Sequence, residues 1–188
     1  MFKKFTLEES VASQTQVKSS VARGLKKRII EQYPMVEATL EEMMPKKAPV
    51  VLIQCRDEQK TQIVVVSEQP IFFCVRDGPM MPTLRLLHRY PCLLDGVRVD
   101  KGAIPYVMGG ANVAAPGMTH ANVIEENRTK SFGAGEPVAI YAEGMTLPMA
   151  IGVMKVPLAD ALAKGKGMAI DMMHYIDDGF WRTTTVSR

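Results

Sequence analysis

Several absences narrow what this chain of 188 residues is able to do. No apolar run approaches the length of a membrane span, so neither a transmembrane segment nor a membrane partner is expected. Cysteine is scarce. Cys55, Cys74 and Cys92 are odd in number, widely spaced and set in apolar surroundings, which fits reduced structural thiols better than a disulfide framework. Catalytic signatures are missing too: there is no G-x-S-x-G elbow and no Walker loop, and the GAG at 133–135 and GKG at 165–167 each lack the third glycine of a dinucleotide fingerprint. His88, His120 and His174 stand far apart, with no cysteine or acid at ligand spacing, so no metal site is expected. Asp177 and Asp178 are neighbours, which suits a turn better than an acid/base pair. The chain therefore reads as a protein without enzymatic activity and without a cofactor. Its first residues, MFKKFTLEES, have no apolar core behind the lysines, which argues against a cleaved secretory signal and for a cytoplasmic location.

What is present reads as α+β. Apolar residues at Val17, Val21, Ala22, Leu25, Ile29, Ile30 and Tyr33 fall in one helical stripe, opposite Arg23, Lys27 and Glu31. Pro34 closes that helix and opens a second, in which Val36, Leu40, Met43 and Met44 face inward before Pro45 stops it. Three apolar segments, VVLIQC, QIVVV and IFFCV, then predict an antiparallel meander covered by the two helices. A short helix at 83–90 presents Arg85, His88 and Arg89 at i, i+3, i+4. That is a concentrated basic face near the middle of the chain. Glycine and proline are dense around this middle, which favours two domains, 1–91 and 92–188, over one. The second half reads as short strands, PVAIYAEG, LPMAIGVMKV and GKGMAIDMMHY, with one or two helical turns, and suggests a small barrel. Residues 120–136 are polar and aperiodic and read as a long loop. The formal net charge of +3 permits a nucleic-acid partner without arguing for one.

Residues 99–117, VDKGAIPYVMGGANVAAPG, are unlike the rest. Gly102, Gly109, Gly110 and Gly117 permit positive φ or close backbone approach, Pro105 and Pro116 fix φ, and Asp100 is placed to cap a short helix. The segment predicts strand, short helix, tight turn and strand, with Pro105 a strain on the helix unless it starts late. Tyr106 falls on the outer face, incidental or an anchor for a partner chain. Taken alone, these residues favour plain turn formers over a smooth surface beside Lys101 that receives an RNA backbone.

Together the motifs change that balance. VDKGAI, GGAN and APG resemble the core of the PUA domain, an RNA-binding module, and AEG, AIGVMKV and GKGMAI resemble its later strands. MFKKF, IIEQYP, MMPKK, DGPMMPTLRLLHRYP and HYIDDGFW extend the likeness to the malignant T-cell amplified sequence family of translation factors. The resemblance implies an α+β pre-PUA domain followed by a PUA pseudo-barrel. It also implies action on the small ribosomal subunit and tRNA, with a density-regulated protein homologue, in reinitiation and post-termination recycling. On this reading Arg98, Lys101, Gly102, Ala103, Gly110, Ala111, Asn112, Pro116 and Gly117 form an RNA-facing edge for a tRNA acceptor end, and Arg85, His88 and Arg89 meet ribosomal RNA phosphates. Tyr106 is the partner anchor. An accessory subunit of an RNA-modification enzyme and a pure protein-interaction scaffold are the alternatives.

Overall fold

Residues 1–186 are described by a computed structural model. Thr6 caps the single turn of α1 (Leu7–Ser10), which leads directly into strand β1 (Val11–Gln16). Helix α2 (Ser19–Gln32), a 3-10 turn at Pro34–Val36 and helix α3 (Glu37–Met43) follow. The meander forms as expected, from β2 (Val50–Cys55), β3 (Thr61–Val66) and β4 (Gln69–Val75) in antiparallel register. It is wider than expected. β1 pairs with β2 and a two-residue strand, β5 (Met81–Pro82), pairs with β4, giving the order β1-β2-β3-β4-β5. Val36, Leu40, Met43 and Met44 are all buried beneath this sheet. On α2 the buried line runs through Ile29, while Val21 sits on the flank and is 45% exposed, against the expectation that it shares the inward stripe.

The Thr83 hydroxyl caps α4 (Leu84–Arg89), whose Leu84 and Leu87 are fully buried. Beyond a 3-10 turn at Pro91–Leu93 the second sheet begins with β6 (Gly96–Val99). The chain then makes a long excursion before the sheet resumes: a 3-10 turn at Lys101–Ala103, α5 (Ile104–Met108), β7 (Val113–Ala114), α6 (Pro116–Thr119) and α7 (Ile124–Arg128). Next come β8 (Pro137–Ala142), β9 (Ala150–Met154), α8 (Leu158–Lys164), β10 (Met168–Tyr175) and α9 (Gly179–Arg182). The sheet order is β6-β8-β9-β10-β7, parallel between β6 and β8 and antiparallel elsewhere. Pro105 causes no break, because α5 starts at Ile104 and a first-turn proline withholds an N–H that has no intrahelical acceptor.

Two expectations need correction. Residues 120–136 are not one structureless loop: α7 lies within them, held by the buried Asn127. The Asn127 side chain accepts from the Arg98 amide at 2.7 Å and donates to the Arg98 and Met118 carbonyls at 2.8 Å each, so a polar residue ties this segment to β6. Cys92 is exposed, unlike the buried Cys55 and Cys74, because it sits in the 3-10 turn between the two sheets.

The halves meet through aromatic rings. Phe2 lies edge-on to Phe5 and Phe73 and packs on Phe180, with His174 beside all but Phe5. The Gly179 amide donates to the Phe2 carbonyl at 3.0 Å. One buried core accordingly runs from the first sheet through Ala139, Ile151 and Phe180, while a second fills the inside of the carboxy-terminal sheet. At Gly179 an added Cβ would lie 2.2 Å from the Phe5 carbonyl oxygen, so Gly179→Ala should lower stability by about 1–3 kcal/mol in urea denaturation; an unshifted midpoint would contradict this packing.

Burial pushes the Cys55 thiol up to about 12, and raises that of Cys74. Near neutral pH a thiol reagent should modify Cys92 at once and the other two only on unfolding. Because the unfolded Cys55 ionises near its ordinary value and the folded one does not, its contribution to stability is present below pH 9 and lost as pH rises toward 12. Rapid native labelling of all three thiols would contradict both statements.

Candidate nucleic-acid interface

The glycine-rich excursion closes on itself through Asp100. The Asp100 amide donates to the Gly117 carbonyl at 2.8 Å, and its carboxylate Oδ2 accepts from the Gly102 amide at 2.9 Å, capping the 3-10 turn. A Cβ on Gly117 would come within 3.2 Å of the Ala103 Cβ, so the bare position lets the two segments pack closely. Gly110 has φ +81 and lies against the Tyr175 ring, which an added Cβ would strike at 2.8 Å. Burial raises the Tyr175 phenol above its ordinary value and keeps that ring neutral beneath the turn. Asn112 fastens the other side, accepting from the Met172 amide at 2.9 Å and donating to Asp171 Oδ1 at 3.1 Å.

These contacts frame a cleft of about 430 Å3. Gly102, Ala103, Ala111, Asn112, Pro116 and Gly117 all line it, so most of the residues singled out in the sequence are brought together. Tyr106 stands at its wall with 71% of its surface exposed, pointing outward as its helical position predicts. His120 and Met168 line the cleft as well and were missed by sequence reasoning. His120 lies in the polar segment read as a loop, and Met168 begins a strand; only the fold brings them to the same cleft. The His120 Nδ1 accepts from the Asn122 amide at 3.4 Å. The lining is mostly apolar with a few convergent polar groups, which suits a flat, partly polar ring better than a charged group.

The cations fall in two sets. The Lys101 side chain is 75% exposed and lies 4.0 Å from Glu143 Oε1, a loose surface pair that leaves it available. Arg98 is occupied by the protein itself: Nε reaches Glu126 at 2.5 Å, Nη1 donates to the Ala142 and Met145 carbonyls at 3.1 and 2.6 Å, and the guanidinium lies over Tyr141. The basic face of α4 is engaged in the same way. Arg85 donates to the Trp181 carbonyl and stacks on the Trp181 ring, His88 Nε2 lies 2.8 Å from the Pro148 carbonyl, and Arg89 pairs with Glu42 at 2.7 Å. Arg85 and His88 thereby join the two halves, while Arg89 is paired within the first. Among the described residues no three His, Cys, Asp or Glu side chains converge as metal ligands, and no helix is long and apolar enough to cross a membrane. His174, at the end of β10, pairs with Asp178 four residues on, across the turn that leads into α9.

Family models match two consecutive segments: residues 5–91 fit the Pre-PUA-like domain and residues 97–179 fit "elF2D, PUA domain". The human protein named malignant T-cell-amplified sequence 2 is 42% identical over 98% of this chain and 99% of its own length. This chain belongs to the malignant T-cell-amplified sequence family. It is thus an α+β protein, a pre-PUA unit followed by a PUA half-barrel. Translation machinery-associated protein 20 of Schizosaccharomyces pombe, 34% identical over 97% of this chain and 98% of its own, is similar throughout as well. A crystal structure of a Pyrococcus horikoshii hypothetical protein shares the fold, with a TM-score of 0.68 at 24% identity, covering 92% of this chain and 99% of that one.

Asn112 ties the turn that borders the cleft to β10. Asn112→Ala leaves the Met172 amide without its acceptor and should destabilise the 109–114 turn by about 1–3 kcal/mol. Hydrogen exchange at those amides should accelerate while the first sheet keeps its protection; unchanged exchange would contradict the pinning role.

Proposed function

We propose that this protein is a non-catalytic RNA-binding factor of the translation machinery, divided at about residue 91 into a pre-PUA and a PUA domain. The PUA cleft receives the unpaired acceptor end of a tRNA on the small ribosomal subunit. The protein acts with a density-regulated protein homologue, in reinitiation and post-termination recycling, and Tyr106 is the exposed ring through which cleft and partner are read. The observation that carries this reading is the cleft itself: the motif residues from Gly102 to Gly117 converge on one apolar, aromatic-walled groove with Lys101 exposed near its edge. The family membership and the name of the fission yeast relative support the link to translation. RNA-binding proteins favour unpaired bases because these can be splayed out and stacked on rings, which a cleft of this size and lining allows.

Chemically, the two exposed residues have separable roles. Tyr106 offers a π face, and replacing it by Ala should weaken binding of a single-stranded RNA ending in CCA by about 1–3 kcal/mol without altering the salt dependence. Lys101 offers charge. Lys101→Ala should make the slope of log K against log salt shallower by about 0.7. Fluorescence anisotropy over a salt series measures both, and sedimentation with small ribosomal subunits, with and without partner and tRNA, tests the larger assignment. Wild-type affinity and slope in both variants, or no co-sedimentation in any combination, would overturn it.

A further inference from the structure

A second cavity, about 860 Å3 and twice the volume of the cleft, lies in the pre-PUA unit between α2 and the segment joining α3 to β2. Four cations border it, Arg23, Lys26, Lys46 and Lys47, against the single carboxylate of Glu41. That is a net of three positive charges in one groove, as many as the whole chain carries. Glu41 is already spent. It accepts from Lys26 Nζ at 3.1 Å and from the Lys46 amide at 3.0 Å, and the Lys26 hydrogen bond holds its carboxyl below the usual range. Arg23, Lys46 and Lys47 are exposed, and among the described residues no carboxylate lies within ion-pair distance of their charged ends.

We propose that this groove is a second RNA site, one that binds the phosphate backbone of a base-paired segment. No aromatic side chain lines it, so it has nothing on which an unpaired base stacks, in contrast to the PUA cleft. Its uncharged walls include aliphatic and proline side chains such as Val17, Ala22, Pro45 and Pro49, without the aromatic anchors that dominate protein-partner hot spots. What remains is charge that neutralises phosphates without reading sequence. The basic face of α4, by contrast, is bonded internally through Arg85, His88 and Arg89. The groove thus takes over the phosphate contact that the sequence suggested for α4. The inference rests on the reading that the protein binds RNA, but not on the cleft.

The test uses the full chain and two probes: a blunt 16-base-pair RNA duplex, and the same duplex with a single-stranded 3′ ACCA end. The triple variant Arg23→Gln, Lys46→Gln, Lys47→Gln should bind both probes at least tenfold more weakly at 0.1 M salt, with the salt slope shallower by about 2–3. Tyr106→Ala should weaken only the probe with the single-stranded end. A control triple variant at Lys4, Arg56 and Lys164, all exposed, should match the wild type, and thermal melting checks that each variant is folded. If the duplex binds the groove variant and the wild type alike, the proposal is overturned. It is also overturned if polyglutamate, rather than duplex, distinguishes them, since the groove then serves an acidic protein. If Tyr106→Ala binds both probes normally while the groove variant loses both, the cleft reading fails and the groove stands.

Discussion

Asp178 is buried with both carboxylate oxygens occupied. Oδ1 accepts the Trp181 amide at 2.7 Å and so starts α9, while Oδ2 accepts the Tyr175 amide at 3.0 Å and faces His174 Nδ1 at 2.8 Å. Several contacts that weld the two sheets are made by its immediate chain neighbours. Phe180 enters the ring cluster with Phe2 and Phe73, Gly179 binds the Phe2 carbonyl, and the Trp181 carbonyl and ring hold Arg85. A buried carboxylate is tolerable only when its acceptors are filled, and here two amides and an imidazole fill them. The junction is therefore a specific, hydrogen-bonded arrangement, not merely apolar area.

That arrangement determines where charge is left over. Holding the halves together consumes Arg85, Arg89 is paired with Glu42 inside the first half, and holding β6 to α7 and the strand ends consumes Arg98. Among the exposed cations, Lys101 lies beside the PUA cleft and Arg23, Lys46 and Lys47 border the α2 groove. The first presents charge beside an aromatic cleft, the others charge alone. The proposed division of labour between reading bases and holding backbone rests on which cations the fold itself has used.

How much of this was legible in the sequence depends on the physics of each element. The meander, α3 and the excursion were readable because Val36, Leu40, Met43 and the β-branched runs carry a strong period, and because glycine and proline leave few backbone choices. β1 was not: only Val11 of its six residues is buried, so it is held by pairing with β2 and leaves no alternation to detect. α7 was hidden for a related reason, since it is fixed by the three hydrogen bonds of one polar residue, Asn127, rather than by an apolar stripe. Within the site, Gly102, Ala103, Asn112 and Gly117 were marked by local composition, whereas His120 and Met168 converge from distant segments. The engagement of Arg85, Arg89 and Arg98 was equally invisible, because their partners are remote in the chain: Trp181, Glu42, Glu126 and Met145. Composition reports that a cation exists; only the fold reports whether it is still unspent.

The parallel pairing of β6 with β8 sets Arg98 beside Tyr141, so the cleft-bearing excursion leaves the sheet and returns to the neighbouring strand. Parallel neighbours demand a long crossover in any case, and lengthening a connection whose ends are already fixed costs little, since closure entropy grows only with the logarithm of its length. The excursion is anchored at both ends and again midway, where β7 pairs with β10. The cleft is therefore built on a connection whose two ends are fixed by strand pairing, so its glycine and proline turns are held in place by the sheet they leave and rejoin.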